Sequence, residues 1–179
     1  MNGSKKSVFV SYASQDAEAA ARICEALRAA SVDVWFDQSA LRGGDAWDHR
    51  IRRQIRDCAL FIPVVSKHTQ ERTEGYFRLE WRLADERTHL MGRTRTFILP
   101  VCVDETSESD ADVPDSFVVA QWTRFPGGET SPAFCDRIAT LLAGLDSVDK
   151  SRTKVNPTPS IGPTKLSSRW MMFKGAGPV

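Results

Sequence analysis

Cysteine is scarce and scattered in this chain. There are four in 179 residues, Cys24, Cys58, Cys102 and Cys135, with no C-x-x-C pair among them. Each lies in an apolar context, so buried free thiols in a reducing compartment are expected, rather than a disulfide framework or a zinc site. The histidines, His49, His68 and His89, show no ligand spacing. A metal needs several close N, S or O donors, so no metal site is expected. Charge of one sign is lacking as well. The formal net charge is +1, and no global field draws nucleic acid or an anionic membrane. The local run Arg50, Arg52, Arg53 and Arg56 has near-helical spacing and reads as a solvated face. No run of ~20 apolar residues exists to span a membrane. Met1 to Lys6 has no long apolar core, so no signal peptide is expected. These absences point to a cytoplasmic location.

What is present is a regular alternation. The sequence is 41% hydrophobic and 26% charged, as in a soluble globular domain. Ser7 to Ser11 reads as a short buried strand, and Ser14 as the N-cap of the helix that follows. Ala20, Ile23, Cys24 and Leu27 recur at i, i+3, i+4 and i+7 as one apolar helical stripe. Val32 to Phe36 is a second strand, ending at Asp37, which reads as structural. Gln38 to Gly44 is a loop, in which Gly43 and Gly44 permit positive φ. Asp45 is placed to cap a helix bearing Trp47, Ile51 and Ile55. Ala59 to Val65 is a near-continuous apolar run, as in a central parallel strand. Pro63 inside it predicts a bulge or an early strand end. A polar loop from Ser66 and a long helix to about Leu90 follow. Thr96 to Val103 is the fourth expected strand, Asp104 to Asp115 a turn-rich stretch, and Phe117 to Trp122 the fifth strand. Ser131-Pro132 opens a last helix that turns Phe134, Ile138, Leu141 and Leu142 to the core and stops at Gly144.

Five strands alternating with helices argue an α/β fold, a doubly wound parallel sheet of flavodoxin-like kind with helices on both faces. Ligands of such sheets bind beyond the carboxyl ends of the strands, near the switch point. Tyr12, the loop 38–44 and Ser66 all follow strand ends there. A phosphoacceptor receiver domain shares this fold, but Leu60 to Val65 ends without an aspartate to phosphorylate. The chain divides into an N-terminal extension (1–6), a folded domain (7–144) and a Pro-rich flexible tail (145–179). The tail carries a polar, proline-spaced linker from Lys154 to Lys165. It closes on the apolar patch Trp170-Met171-Met172-Phe173, read as a floppy end, as a docking segment, or as the start of a segment lost from a longer ancestor.

One helical pattern holds a candidate for chemistry. Tyr76 and Glu80 are i and i+4 and share a face, while Phe77, Trp81 and Ala84 share a neighbouring, sheet-packing face. A carboxylate on the partly apolar side of a helix is costly without a partner or a role. An ion pair with Arg78 or Arg82 is the plain reading.

Three stretches now combine: Val8-Phe9-Val10-Ser11-Tyr12-Ala13-Ser14-Gln15-Asp16, Trp35-Phe36-Asp37-Gln38-Ser39-Ala40-Leu41-Arg42-Gly43-Gly44-Asp45, and Tyr76-Phe77-Arg78-Leu79-Glu80-Trp81. Together they resemble the first two boxes and the glutamate-bearing helix of a TIR (Toll/interleukin-1 receptor) domain, in bacterial wording, over roughly residues 7 to 144. Some TIR domains only associate, and others cleave NAD. The NAD-cleaving kind carries a tryptophan, usually followed by cysteine, four residues before the catalytic glutamate. Here Tyr76 and Phe77 stand in those places and Glu80 falls on the catalytic position. The resemblance implies an NAD+ nucleosidase, with NAD+ as substrate and no cofactor. It would release nicotinamide and either ADP-ribose or a cyclic ADP-ribose.

Tyr12 and Ala13 match the turn that lines the NAD pocket in such relatives. Arg42 is placed for the pyrophosphate or as an exposed loop arginine, and Gly44 for loop shape. Trp47 either stacks on a base or packs in the core. Trp122 lies where the third box would be, without that box's Phe-Trp pair. The resemblance also implies self-association through TIR–TIR contacts, a role in signalling or antiphage defence, and a separate sensor or effector protein as partner. The alternative it leaves is a non-catalytic adaptor that only binds other TIR domains.

Overall fold

The computed structural model describes residues 6–36 and 45–152. The chain alternates β1 (Val8–Ser11), α1 (Ala17–Ala29), β2 (Val34–Trp35), α2 (Asp45–Asp57), β3 (Leu60–Val65), α3 (Lys67–Glu71) and α4 (Tyr76–Thr88). Then come β4 (Val101–Cys102), α5 (Asp115–Val118), β5 (Thr123–Arg124) and α6 (Pro132–Arg152). The five strands form one sheet in the order β2-β1-β3-β4-β5, and every pairing is parallel. This is the flavodoxin-like order, with its switch point between β1 and β3.

The period of two along a strand sorts the core onto both faces. Val8, Val10, Leu60, Ile62 and Val64 enter one cluster with the stripe Ala20, Ile23, Cys24 and Leu27 of α1 and with Phe134 and Ile138 of α6. Phe9, Phe61 and Val65 enter the other, with Ile51 and Ile55 of α2 and Phe77, Trp81 and Ala84 of α4. The second cluster is joined by rings. Phe9 stacks on Trp35 at 4.5 Å and on Phe61 at 5.3 Å, and Trp81 meets Phe117 at 5.3 Å and Phe77 at 5.2 Å.

Several expectations are corrected. Pro63 causes no bulge, because β3 pairs with β1 in unbroken register through Ser11↔Pro63. Phe61 exchanges bonds with Phe97 and Leu99, and Val65 accepts from Val103. Alternate residues of β3 thus turn their amides toward β4, and Pro63 is one of them. The ladder to β4 is interrupted there, opposite Pro100, leaving an isolated bridge at Ile98 and a short strand at Val101–Cys102. That is why the expected strand 96–103 is cut short, since proline donates nothing to a ladder. The second strand is likewise shorter than expected, at Val34–Trp35.

Phe117 to Trp122 is not a strand. After Pro114 the chain turns into α5, which buries Phe117 and leaves Val118 and Val119 outward at 61% and 86% exposure. Trp122 is buried, and its indole N–H donates to the Phe117 carbonyl at 2.8 Å. The fifth strand comes after it, at Thr123–Arg124.

The long helix to Leu90 is two helices. Ser66 caps α3 through a reciprocal capping box with Thr69. Gly75, at φ 155° and ψ 161°, separates α3 from α4 in a backbone conformation that glycine alone adopts readily. Ser14 caps nothing. A 3-10 turn over Ser14–Asp16 precedes α1, and the Ser14 hydroxyl donates to Gln15 Oε1 and accepts from Arg72. Ser131 does cap α6, accepting from the Phe134 amide at 3.3 Å with Pro132 as the first helical residue. Gly144 does not stop that helix, which runs on to Arg152. Asp37, Gly43 and the tail beyond 152 lie outside the described residues.

A 3-10 turn at Pro126–Gly128 packs against α1. Gly128 has φ +82°, and a Cβ built there falls 2.2 Å from the Ala19 carbonyl oxygen. Gly128→Ala is therefore expected to cost about 1–3 kcal/mol, read as a lower urea midpoint.

All four cysteines are buried and free. Burial pushes the Cys24 and Cys58 thiols up to about 12, although Arg28 and Arg87 pull the other way. A thiolate is the reactive species. Both are therefore expected to resist a thiol-specific reagent at pH 8 in the native chain and to react once it is unfolded, read by mass after a timed quench.

Candidate functional site

The carboxyl ends of β1 and β3 open on the switch point, and α4 crosses beside them. Ser11 is the last residue of β1 and shares its face with Phe9, the face that α4 covers. Glu80 sits on the buried side of α4, held there by its helical neighbours Phe77, Trp81 and Ala84. Glu80 is 8% exposed, and its carboxylate accepts from the Ser11 hydroxyl at 2.5 Å. That is the length of a strong O–H···O⁻ bond.

The arginine expected to pair with this glutamate is committed elsewhere. Arg78 donates to the carbonyls of Thr69 (2.7 Å) and Asp112 (2.9 Å) and forms a 3.0 Å ion pair with the Asp112 carboxylate. Its guanidinium also lies over the rings of Phe77 and Trp81, at 5.2 and 5.6 Å. Arg78 thereby ties the start of α4 to α3 and to the stretch before α5. Arg82 points to solvent.

Not every candidate gathers around Glu80. Tyr76 packs partly buried on the aromatic cluster, one helical turn before it, and Ala13 is buried in the same cluster. Tyr12 turns the other way, stacking on Phe36 at 5.0 Å over the α1–α6 cluster. Trp47 packs half-buried on the aromatic cluster, 6.2 Å from Trp35. The core reading of Trp47 is thus the one its contacts fit. Its indole N–H is buried with no acceptor among the described residues. Arg42 and Gly44 lie outside the described residues.

Sequence reasoning missed a second group on the same rim. Asp16 is buried and takes two bonds. Ser66 Oγ donates to one carboxylate oxygen at 2.6 Å, and His68 Nδ1 meets the other at 2.7 Å. This knot joins the starts of α1 and α3. Asp104, just after β4, extends it by accepting from the amides of Lys67 (2.7 Å) and Thr106 (2.9 Å) and from the Thr106 hydroxyl. Burial works against its charge, but these bonds hold the Asp104 carboxyl below the usual carboxylate range. Nothing local announces the knot, because its members come from separate segments. Ser11 was legible in principle, since alternation from Phe9 places it toward α4.

Among the described residues no cluster of three or more His, Cys, Asp or Glu is arranged to hold a metal ion. No described helix is long and apolar enough to cross a membrane.

A parallel sheet in flavodoxin-like order, with a buried glutamate brought to the end of its first strand, defines the class of protein. The chain belongs to the TIR domain family, whose model matches residues 8–141. It is also similar to the NAD(+) hydrolase PdTIR of Paracoccus denitrificans (strain Pd 1222), with 31% identity over 97 residues. That stretch is 52% of this chain and 30% of the relative, so the chain spans about a third of the length of the curated relative it matches.

Proposed function

We propose that this chain is an NAD+ nucleosidase that cleaves the bond between nicotinamide and ribose, with Glu80 as its catalytic carboxylate. The observation that carries the reading is the buried Glu80 carboxylate bonded to Ser11 at the switch point. Family membership and the name of the Paracoccus relative support it.

The chemistry follows from charge. Nicotinamide departs as a neutral base from a cationic glycoside, and positive charge grows on the ribose. An ionised carboxylate fixed near the ribose holds its hydroxyls and stabilises that charge. Ser11 then acts as a positioning residue, restricting the rotamer of Glu80. Water capture gives ADP-ribose, and capture by an adenine nitrogen gives a cyclic product. Tyr12, Ala13 and Tyr76 stay in the proposal as pocket wall, with Arg42 and Gly44 from the second-box loop and Trp47 beside it. Assembly of several copies completes the site across neighbours in this account. Its setting is signalling or antiphage defence, triggered by a separate sensor or effector protein.

The test is nicotinamide release from NAD+ by concentrated purified protein. Release by the wild type that Glu80→Gln abolishes supports the proposal. Release by neither protein, with assembly intact, favours an adaptor that binds other TIR domains without turnover.

A further inference from the structure

At the opposite end of the sheet from Glu80 lies a cavity of about 660 Å³. Residues just before β1, β3 and β4, the last turns of α2 and α4, and one side of α6 line it, and it opens to solvent. Among the described residues, the cations Lys6, Arg56, Arg87 and Arg95 and the carboxylate Asp57 line it. That carboxylate already meets Arg56 at 3.1 Å.

Part of this charge serves the fold. Arg87 Nη1 donates to the carbonyls of Ile55 (2.6 Å) and Cys58 (2.7 Å), at the end of α2 where partial negative charge collects. A helix end carries only about half a charge, so the end of α2 does not neutralise Arg87 and the nearby Arg95 together. The guanidinium of Arg87 is also fixed, 4.3 Å over the Phe97 ring. Its Nε and Nη2 have no acceptor among the described residues. Burial lowers its pKa, and the nearby charge of Arg95 pushes the same way. Like charges therefore converge on a concave, partly desolvated surface, which focuses a positive potential. The hydroxyls of Thr94 and Thr96 add neutral donors, and Leu141 and Leu145 supply an apolar wall.

We propose that this cavity binds a phosphorylated small molecule of about mononucleotide size, its phosphate held between Arg87 and Arg95. Guanidinium groups match phosphate oxygens in geometry and charge. The volume is in the range of small-ligand pockets. Because Arg87 is already immobilised, little side-chain entropy is lost on binding. The site stands at the far end of the domain and does not depend on the NAD-cleaving reading.

The test is calorimetric titration of the full chain at low salt, with inorganic phosphate in one arm and AMP in the other. Both are expected to bind, AMP more tightly because the apolar wall takes the nucleoside. Both should weaken as salt is raised. Arg95→Gln, an exposed position that leaves the Arg87 cap untouched, is expected to weaken AMP by about tenfold. Glu80→Gln should bind AMP as the wild type does, which separates this cavity from the opposite rim. Amide shifts on AMP addition should centre on Thr94 and Thr96. The proposal is overturned if neither ligand binds up to about 1 mM, if only inorganic phosphate binds, or if Arg95→Gln binds AMP as tightly as the wild type.

Discussion

Glu80→Gln is expected to lower the rate of nicotinamide release by at least about 10²–10³-fold, the usual effect of removing one electrostatic stabiliser from a transition state. Glutamine matches glutamate in shape, and its amide oxygen accepts from Ser11 as the carboxylate does. What is lost is the negative charge facing the developing positive centre. The effect should therefore fall on kcat more than on KM, since the charge matters most when the ribose is cationic. Thermal unfolding should remain cooperative with a small change in Tm. Ser11→Ala supplies the matching control. It keeps the charge but frees the rotamer, so a smaller loss of kcat is expected. Equal losses in both variants would point to a distorted helix rather than a missing charge.

Trp81→Ala is expected to destabilise the domain by about 3–5 kcal/mol, a large fraction of the stability a domain of this size usually has. Trp81 is 1% exposed and is the largest of the fully buried side chains among the described residues. It packs against Phe77 of its own helix, against Phe117 of α5 and under Arg78. Its indole nitrogen is buried with no acceptor among the described residues, so truncation forfeits packing rather than a hydrogen bond. The loss is then a cavity between α4, α5 and the sheet. Trp81→Phe should recover much of it, because an aromatic ring still fills the gap. Urea unfolding followed by circular dichroism reads both variants. Since Glu80 is the preceding residue on α4, the alanine variant should also lose activity below its melting temperature, and the phenylalanine variant should retain it.

The legible parts of this fold are those decided by local period. The stripe Ala20, Ile23, Cys24 and Leu27 is buried as its spacing requires, and so are Ile51 and Ile55 on α2 and Phe134 and Ile138 on α6. The apolar run 59–65 is the central strand, covered on both faces. The misreadings arise where a partner outweighs local propensity. Val118 and Val119 favour a strand by composition, yet burying Phe117 and Trp122 together requires a turn of helix between them. Pro63 looks like an obstacle within its own strand, but its effect appears in the neighbour, where β4 is broken. The Gly144 stop failed because α6 runs through it to Arg152, a glycine inside a helix costing only about 1 kcal/mol. Of the candidate site, the shared face of Tyr76 and Glu80 follows from helical spacing alone. The Ser11 contact, 69 residues away, and the Asp16–Ser66–His68 knot depend on how strand ends meet across the switch point.

The central claim is a buried glutamate poised to break a glycosidic bond. A time course of NAD+ loss and nicotinamide gain, with wild type and Glu80→Gln at matched high concentration, tests it most directly. The account predicts equimolar conversion by the wild type, and a flat line from a Glu80→Gln protein that still folds and assembles. Conversion by Glu80→Gln at the wild-type rate would contradict it.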